Sequence, residues 1–477
     1  MSSPGQRFQF FPLTLKAKAL GWGFFGVGLL GAGLWGAAAV LEPWGGEGTL
    51  GFRPMSGAVP SLGVKVGGLG NPEPGPGIAQ GIPQLPGDPS GSALASGTAL
   101  GDPWGECGTI VNPPPALCPV PGEQVPADVG LDPQLWGQEG FQRDWLALVR
   151  SIDHSLAYLA TPKAAEDYDR LALRGITRSR VQRSLQRFRH LVLKARSPQE
   201  LQQQVRQEFV FYQAMGHDGR GTVDFTGYFE PTYAASLTPA PGYPYPLYRR
   251  PPDLAQWPQP HPTRRELEGA DGLQGSQGAL AGLELVWLRD RLEAYLVQVQ
   301  GSARLQLPNG ESFTVGYDGR TEYPYTSLGK ALVAAGKFSL EELTLPKVLD
   351  YFRQNPQDLS LYIPVNDRFV FFRATDGQAA TGSLGVPVTG DRSIATDKTL
   401  MPPGALAVFA TQLPYGPQGD ALSLRSVSRY VLDQDTGGAI RGAGRADIFL
   451  GTGSLAGARA GLVNHSGQLY YLLLKEP

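Results

Sequence analysis

The sequence is poor in the residues that build metal and thiol sites. Only 2 cysteines and 5 histidines occur among 477 residues, and they have neither the spacing of a structural zinc site nor that of an HExxH motif. A GxSxG nucleophile elbow is also absent. The sequence therefore predicts no metal and no cofactor, and it argues against catalysis by a serine or cysteine nucleophile.

The charges of the chain are nearly balanced. Lys and Arg number 41 against 43 Asp and Glu, which gives a formal net charge of −2. A protein that binds nucleic acid mainly through its phosphates carries an excess of positive charge. We therefore expect no nucleic-acid partner.

The N-terminus contains one long run without charge. Arg7, Lys16 and Lys18 precede 23 uncharged residues from Ala19 to Leu41, and a helix of that length spans a hydrocarbon core about 30 Å thick. The positive flank predicts that the start of residues 1–41 stays cytoplasmic and that the rest of the chain is exported. Ala37–Ala39 also fits a cleavage site, so the run is either a membrane anchor, which we favour, or a removed signal.

Residues 42–130 are rich in glycine and proline. They include 36 Gly or Pro among 89 residues and show no sustained apolar period, which is typical of a flexible tether. Cys107 and Cys118 lie in this stretch and form either a local disulfide or two idle thiols. Ordered structure is predicted to begin near Leu131.

The segment after the tether is predicted to be helical. Apolar residues recur at helical spacing in Phe141–Leu159, Val181–Leu193 and Leu201–Met215. Ser197 and Pro198 open the third of these helices as cap and first helical residue. These helices are interpreted as scaffold.

The second half of the chain is predicted to be mostly β. Short runs rich in aromatic and β-branched residues alternate with Gly and Pro at Asp224–Pro231, Glu293–Gly301 and Arg368–Arg373. Pro239–Gly278 is rich in Pro, Gly and Gln and is expected to be a surface loop or an insertion. The fold class is therefore mainly β, as a sandwich or barrel, with N-terminal helices.

Three aspartates close together are the strongest candidates for chemistry. Asp447 lies among Ala446, Ile448 and other apolar residues, so burial on a strand would raise its pKa, as a general acid at neutral pH requires. The alternative is a strand-edge aspartate with satisfied hydrogen bonds. Asp435 precedes a Thr-Gly-Gly turn, where aspartates often bind backbone amides, so a structural or supporting role is favoured for it.

These residues also carry a resemblance to a known family. The segment DTGGAIRG…RADIFLGTG…AG resembles the three-aspartate domain of the membrane-bound lytic murein transglycosylase A family, and four other blocks resemble that family in the same order. The five blocks are spread over Thr226–Leu473, about half of the chain. They are Thr226–Pro231, Tyr295–Gly310, Tyr317–Lys330, Gly382–Phe409 and Asp435–Gly461.

The resemblance implies a particular architecture. It implies a six-stranded double-psi β-barrel with a second β domain inserted into it and a groove between the two. Residues 131–231 would form a helical lead-in and the first part of the barrel, 232–381 the inserted domain, and 382–477 the remainder with the three aspartates. The fold is thus expected to be two-domain and mainly β.

The resemblance further implies a lyase acting on peptidoglycan without water. The C6 hydroxyl of N-acetylmuramic acid would attack its own C1, break the β-1,4 bond to N-acetylglucosamine and leave a 1,6-anhydro sugar. A hydroxyl within the substrate replaces both the water and the nucleophile of a two-carboxylate glycosidase, so one carboxyl can serve as acid and then as base. Asp447 matches the family's catalytic aspartate, Asp435 its second aspartate, and Asp433 is an accessory candidate.

The matching blocks also contain candidate sugar-binding residues. Amides, hydroxyls and aromatic faces suit neutral sugars, and core or turn roles are the alternative for each residue. The candidates are Thr226, Tyr228, Gln300, Ser302, Tyr323 and Tyr325.

The implied partners and location follow from the same resemblance. Glycan strands of peptidoglycan are the expected substrate, the membrane is contacted through the N-terminal segment, and a complex of cell-wall enzymes is a further candidate partner. The expected location is the periplasmic side of the cell envelope. No cysteine stands directly after the uncharged run, so we expect the run and its tether to replace the lipid anchor common in the family.

Two other functions stay open. The first is a glycan-binding module without catalysis, because double-psi barrels also occur in wall-loosening proteins. The second is a hydrolase on the same barrel, which for inversion needs a second carboxylate about 6.5–9.5 Å from Asp447. Asp435 is the residue to consider for that role.

Overall fold

The computed structural model describes residues 115–171, 173, 175–340, 342–416 and 421–476. The predicted membrane run Ala19–Leu41 and most of the predicted tether, with Cys107, lie outside the described residues. Within the described ranges, no helix is both long and apolar enough to cross a membrane.

The N-terminal described part is mainly helical. Its elements are β1 (Leu117–Val120), α1 (Trp145–Leu159), α2 (Pro162–Asp169), α3 (Arg178–Lys194), α4 (Pro198–Glu208), β2 (Phe209–Ala214) and β3 (Val223–Glu230), with a 3-10 turn at Pro133–Trp136. The side chains of Thr161, Thr177 and Ser197 cap α2, α3 and α4 by accepting a backbone N–H each. These helices bury one face against the barrel described below.

Ordered structure begins earlier than the predicted Leu131. Strand β1 pairs antiparallel with β2, and Val125 and Val129 are buried in the main core. The carbonyls of this proline-rich stretch accept hydrogen bonds from the side chains of Arg206 and Gln202. Side chains of α4 therefore satisfy the backbone that glycine and proline leave without regular pairing, which the composition alone does not indicate.

The third predicted helix was too long. It ends at Glu208, and the chain continues as β2, in which Phe209 and Phe211 are buried. Alternating aromatic and β-branched residues suit a half-buried strand better than a helix. The pairing of β2 with β1 on one side and a C-terminal strand on the other decides the outcome.

The middle of the chain forms the inserted β domain. Its elements are β4 (Thr232–Ser236), β5 (Tyr245–Tyr248), α5 (Arg264–Glu268), β6 (Glu284–Leu288), α6 (Arg291–Gln300), β7 (Ser302–Gln306), β8 (Ser312–Arg320), α7 (Leu328–Ala334), α8 (Leu345–Gln354), α9 (Leu359–Tyr362) and β9 (Val370–Ala374). Short 3-10 turns lie at Leu254–Gln256, Gly275–Gln277, Pro356–Asp358 and Ile363–Val365. Among the described residues, the strands pair in the order β5, β6, β4, β7, β8, β9.

Pro239–Gly278, expected to be a surface loop or an insertion, contains regular secondary structure and so is more than a loop. It contributes β5 and α5 to the inserted domain, and α5 begins with a capping box between Thr263 and Glu266. Tyr248, Leu254 and Leu267 from this segment pack in one cluster with strand residues near β9. Buried aromatic and leucine side chains therefore hold a segment whose average composition resembles a loop.

The C-terminal part completes the barrel. Its elements are β10 (Ser393–Ala395), β11 (Leu406–Tyr415), β12 (Ser423–Asp435), β13 (Arg445–Thr452), α10 (Ser454–Ala460) and β14 (Asn464–Leu474). In the described chain, β3, β13, β10, β12, β11 and β14 pair in sequence, and β14 pairs again with β3 to close a six-stranded ring. The predicted fold class, mainly β with a barrel, a second β domain and N-terminal helices, is confirmed.

Candidate active site

The pairing of four barrel strands places the candidate acids in one row. Ala395 of β10 pairs with Asp435 of β12 on one side and with Asp447 of β13 on the other. Asp447 pairs in turn with Thr226 of β3. Directly paired residues point to the same face of a sheet, and two strand spacings separate the Cα atoms of the two aspartates by about 10 Å.

A groove lies above this row, between the barrel and the inserted domain. Its volume is about 720 Å³, within the range of ligand-binding clefts. Seven of the predicted site residues line it. They are Thr226, Tyr228, Gln300, Ser302, Tyr325, Asp435 and Asp447.

Asp447 has the environment of a general acid. Burial raises its pKa to about 6, and the Asp435 charge adds to the rise, while the Thr226 hydroxyl and the Arg445 guanidinium oppose it. Its Oδ1 atom is buried and has no hydrogen-bond partner in the described chain. A carboxyl with one unbonded oxygen and a raised pKa can hold a proton near neutral pH and transfer it.

Asp435 is held from three sides. Its Oδ2 accepts from the Tyr228 hydroxyl at 2.8 Å, and its Oδ1 accepts from the backbone N–H of Ser383 and of Thr436, each at 2.8 Å. Burial raises the pKa of Asp435, and these three hydrogen bonds oppose the rise. The carboxylate therefore fixes the turn after β12 and orients Tyr228, whose ring packs on Phe449 with 5.1 Å between centroids.

Asp433, the accessory candidate, does not line the groove. It is fully buried, and its carboxylate accepts from Thr396 Oγ1 and the Tyr471 hydroxyl, both at 2.7 Å, and pairs with Lys398. Ile394 pairs with Asp433 and the next residue, Ala395, pairs with Asp435. This bulge in β12 turns the two aspartates to opposite faces, whereas a regular strand places residues i and i+2 on one face.

The residue inside the bulge is Gln434, which α1 holds in place. Its side-chain Nε2 donates to the Ser151 carbonyl at 2.7 Å and to Ser155 Oγ at 2.9 Å, and its Oε1 accepts from Ser151 Oγ and Ser393 Oγ. The lead-in helix therefore stabilises the register that brings Asp435 into the groove.

Gln300 and Ser302 line the groove from an unexpected element. The predicted strand Glu293–Gly301 is instead helix α6, which Asp290 caps by accepting the Glu293 N–H at 3.0 Å. The helix ends at Gly301 in the left-handed region, with φ 83°. The Gln300 Oε1 accepts the N–H of Phe229 at 3.1 Å and so links the inserted domain to β3 of the barrel.

Tyr323 was predicted to bind sugar, but it does not line the groove. Its hydroxyl donates to the His261 carbonyl at 2.6 Å, and its own carbonyl accepts from Arg368 Nε at 2.8 Å. Both contacts fix loops of the inserted domain. Tyr325, two residues later, lies in the groove wall, and burial raises its pKa.

Sequence reasoning missed the arginines of the groove. Their spacing in the chain carries no motif, because they come from separate loops and strands of both domains. They are Arg264, Arg320, Arg368, Arg373, Arg441 and Arg445. No group of three or more His, Cys, Asp or Glu side chains in the described ranges is placed to hold a metal ion.

Comparison with known proteins places this architecture in a family. A profile of the MltA specific insert domain matches residues 224–373, and a profile of the 3D domain matches residues 392–473. These two ranges contain the inserted domain and the C-terminal part of the barrel.

Individual relatives agree with the profiles. Membrane-bound lytic murein transglycosylase A of Escherichia coli strain K12 is 28% identical over 264 residues, which are 55% of this chain and 68% of that protein. A membrane-bound lytic murein transglycosylase of Agrobacterium tumefaciens aligns with TM-score 0.58 and 25% identity over 75% of this chain and 98% of that one. E. coli MltA crystallised with chitohexaose has the same fold, with TM-score 0.58 and 23% identity over 76% of this chain and 95% of that one. The chain belongs to the family of membrane-bound lytic murein transglycosylase A.

Proposed function

We propose that this chain is a lytic transglycosylase that cleaves the β-1,4 bond between N-acetylmuramic acid and N-acetylglucosamine in peptidoglycan. The observation that carries the proposal is the Asp447 carboxyl, which has a raised pKa and an unbonded oxygen and lines the groove between the two domains. The names of the relatives support the reaction class. Family membership supports the same substrate.

The reaction needs one carboxyl in two protonation states. Protonated Asp447 donates its proton to the glycosidic oxygen as the bond from that oxygen to C1 of the muramoyl sugar breaks. The C6 hydroxyl of the same sugar then bonds to C1, and the Asp447 carboxylate accepts the hydroxyl proton. The carboxyl is regenerated, no water is consumed, and the products are a 1,6-anhydromuramoyl end and a free C4 hydroxyl.

The bonding of Asp435 favours this route over a two-carboxylate hydrolase. An inverting or retaining glycosidase needs a second carboxylate that is free to activate water or to attack C1. The oxygens of Asp435 already accept three hydrogen bonds from Tyr228, Ser383 and Thr436. We therefore assign Asp435 to the support of Asp447 and of the bound sugar.

The groove walls supply the contacts that a sugar chain needs. Gln300, Ser302 and Tyr325 face the groove from the inserted domain, and Thr226 and Tyr228 face it from β3. Sugars on both sides of the broken bond would then be held by both domains. Binding across two domains positions the glycosidic oxygen at Asp447, which is worth much of the rate enhancement in such reactions.

The same proposal includes a place for the enzyme in the cell. Relatives are named membrane-bound, and the uncharged run at 19–41 has the length of an anchor. The chain would then act on the exported side of the membrane. Fractionation tests this, because the full chain should stay with membranes after a high-salt wash and a chain lacking residues 1–41 should not.

The decisive experiment for the reaction is the mass of its products. The full-length chain is incubated with purified murein, and the released muropeptides are weighed. Anhydromuramic ends, one water lighter than hydrolysis products, support the proposal. Reducing ends would instead mean a hydrolase, and binding without any product would mean a glycan-binding module.

The pH dependence of the reaction should follow Asp447. The acid must be protonated when it meets substrate, so kcat/KM is expected to fall about tenfold per pH unit above a pKa of about 6. An unshifted carboxyl would start this fall near pH 4. Measurement of kcat/KM from pH 4 to 8 decides between them. In a Thr226→Val chain, which removes a hydroxyl that lowers the Asp447 pKa, the fall should begin at higher pH.

Replacing Asp435 by asparagine should weaken activity less than replacing Asp447. The change removes the negative charge and replaces one carboxylate oxygen by an amide NH2 group. The remaining amide oxygen can still accept a hydrogen bond from Tyr228 or from the turn. We expect kcat to fall roughly tenfold, at the lower end of the about 1.5–3 kcal/mol that a hydrogen bond to a charged group contributes, because the amide oxygen still accepts one bond. The rate of murein solubilisation measures it. A loss as complete as that of the Asp447→Asn chain would contradict the assignment of Asp435 to support.

A further inference from the structure

Arg368 is a buried cation that faces the groove without an acceptor for its charge. It lies just before β9 and is 8% exposed. Its Nε donates to the Tyr323 carbonyl at 2.8 Å, but its Nη1 and Nη2 have no hydrogen-bond partner in the described chain. An arginine residue with so little exposed surface normally has a carboxylate or several carbonyls around its guanidinium.

The position of Arg368 is set by both domains. Arg264 Nη2 donates to the Arg368 carbonyl at 2.6 Å and holds the backbone. The Arg368 guanidinium rests on the glycine turn that follows Asp435, where a Cβ on Gly438 would lie 1.7 Å from Nη1. Glycine at this position therefore allows the cation to reach across the groove to the barrel.

Further positive charge surrounds this guanidinium. Burial, and then the charges of Arg320 and Arg441, lower the pKa of Arg368 to about 10. Arg320, the last residue of β8, donates to the Thr321 carbonyl at 3.1 Å and has no ion pair in the part of the chain that the structure describes. Like charges held together in a half-buried wall repel one another, and an anion between them would remove that cost.

Two other groove arginines already have acceptors for their charge. Arg264 binds Glu268, Gln298 and two carbonyls, and Arg373 Nη1 lies 3.4 Å from Asp318. Arg320 and Arg368 differ from them because their charge is left open toward the groove.

Resting on the glycan-cleaving function proposed above, we propose that Arg320 and Arg368 form a subsite for a carboxylate carried by the muramoyl sugars of the substrate. Guanidinium groups match carboxylates by paired hydrogen bonds. Neutral N-acetylated sugars offer no such group. The muramoyl unit does, either as its lactyl carboxylate or as a carboxylate of a peptide attached there. The subsite would thus distinguish wall glycan from neutral chitin-like glycan.

Binding to three glycans tests the subsite. The full-length chain carries Asp447→Asn throughout so that nothing is cleaved, and calorimetry measures its affinity. The ligands are neutral chitooligosaccharide, murein strands stripped of peptide that keep lactyl carboxylates, and murein strands that keep their peptides. Arg320→Gln and Arg368→Gln are compared with Arg353→Gln, a surface arginine of α8 that pairs with Asp350 at 2.7 Å and is 70% exposed.

The expected result is selective for charge. Arg320→Gln and Arg368→Gln should each lower the affinity for carboxylated strands at least about tenfold and change the affinity for neutral glycan by no more than about twofold. Arg353→Gln should change neither affinity. If affinity is lost only for peptide-bearing strands, the carboxylate belongs to the peptide. If affinity is lost for stripped strands as well, the carboxylate is the lactyl group. Equal loss on neutral glycan, or no loss on any ligand, overturns the subsite.

A second variant separates charge from position. Gly438→Ala keeps every arginine but should displace the flexible end of Arg368, so the same selective loss is expected with little change in thermal stability. Unchanged binding of carboxylated strands by this variant and by Arg368→Gln would overturn the proposal. The binding measurements do not depend on cleavage of the glycan. Wild-type chain that binds selectively but releases no anhydro products would overturn the proposed reaction and leave the subsite standing.

Discussion

Replacing Asp447 by asparagine is expected to lower the rate of murein cleavage at least about 100-fold, within the range of 10²–10⁴ that a positioned acid or base contributes. The effect should be this large because one carboxyl is assigned both proton transfers. Asparagine has nearly the same shape and keeps the strand pairing with Ala395 and Thr226, but it can neither donate nor accept that proton. Release of anhydromuropeptides per unit time measures the effect. Retention of a tenth of the wild-type rate would contradict a mechanism with a single acid.

The same variant carries its own control for folding. The folded state holds the Asp447 proton more tightly than the unfolded chain, so wild-type stability falls as pH rises from about 4 to about 6. At pH 7 the buried carboxylate then costs up to about 3 kcal/mol, at 1.36 kcal/mol per pKa unit. Asp447→Asn should therefore unfold at a higher temperature than wild type at pH 7, and the difference should vanish below pH 4. A less stable variant at pH 7 would show that lost activity reflects lost structure.

Replacing Asp132 by asparagine is expected to destabilise the protein by about 3–5 kcal/mol, as breaking a buried ion pair does. Asp132 is 1% exposed and accepts from Arg392 at 2.5 Å, from Arg429 at 3.2 Å and from the Tyr430 N–H at 3.2 Å. Arg392 is fully buried and also binds Asp144 twice at 2.7 Å. Asparagine would leave these two arginines with one carboxylate in the interior, and that uncompensated charge is the source of the cost.

The consequence should extend to the site. Arg392 immediately precedes β10, which carries Ala395 between the two groove aspartates. Urea unfolding measures the free energy, and Asp153→Asn is the matched control. Asp153 pairs with Arg189 at 2.7 Å on the surface, with side-chain exposures of 46% and 38%, so its loss should cost no more than about 1 kcal/mol. Equal effects of the two substitutions would contradict the role of the buried cluster.

Local sequence patterns predicted the elements that depend on nearby residues. Helices α1 and α3 and strand β3 lie where periodicity placed them. The family resemblance is confirmed. The strand predicted at Glu293–Gly301 was wrong, because alternation over a few residues does not distinguish a strand from a helix whose faces are both buried. A cap at Asp290 and burial of Leu296 and Gln298 as well as of Tyr295 and Val297 fit the helix.

The early start of order was missed for a different reason. Glycine and proline lower the tendency to form regular structure, but they do not prevent a segment from binding to a neighbour. The stretch before Leu131 is held by hydrogen bonds from Arg206 and Gln202 and by pairing of β1 with β2. Those partners lie about 80 residues away in the chain, beyond the reach of any local pattern.

By itself, the sequence determined the residue types at the centre of the site: an aspartate among apolar strand residues, and a second one before a glycine turn. Which aspartate faces the groove was decided only by tertiary structure. The bulge at Gln434 turns Asp433 inward and Asp435 outward, and a helix from the lead-in holds that bulge. Likewise, Arg320 and Arg368 line one groove with Asp435 and Asp447 only in the folded chain, because the inserted domain lies beside the barrel. Register, burial and unpaired charge arise from contacts between distant segments, so the chain must fold before they exist.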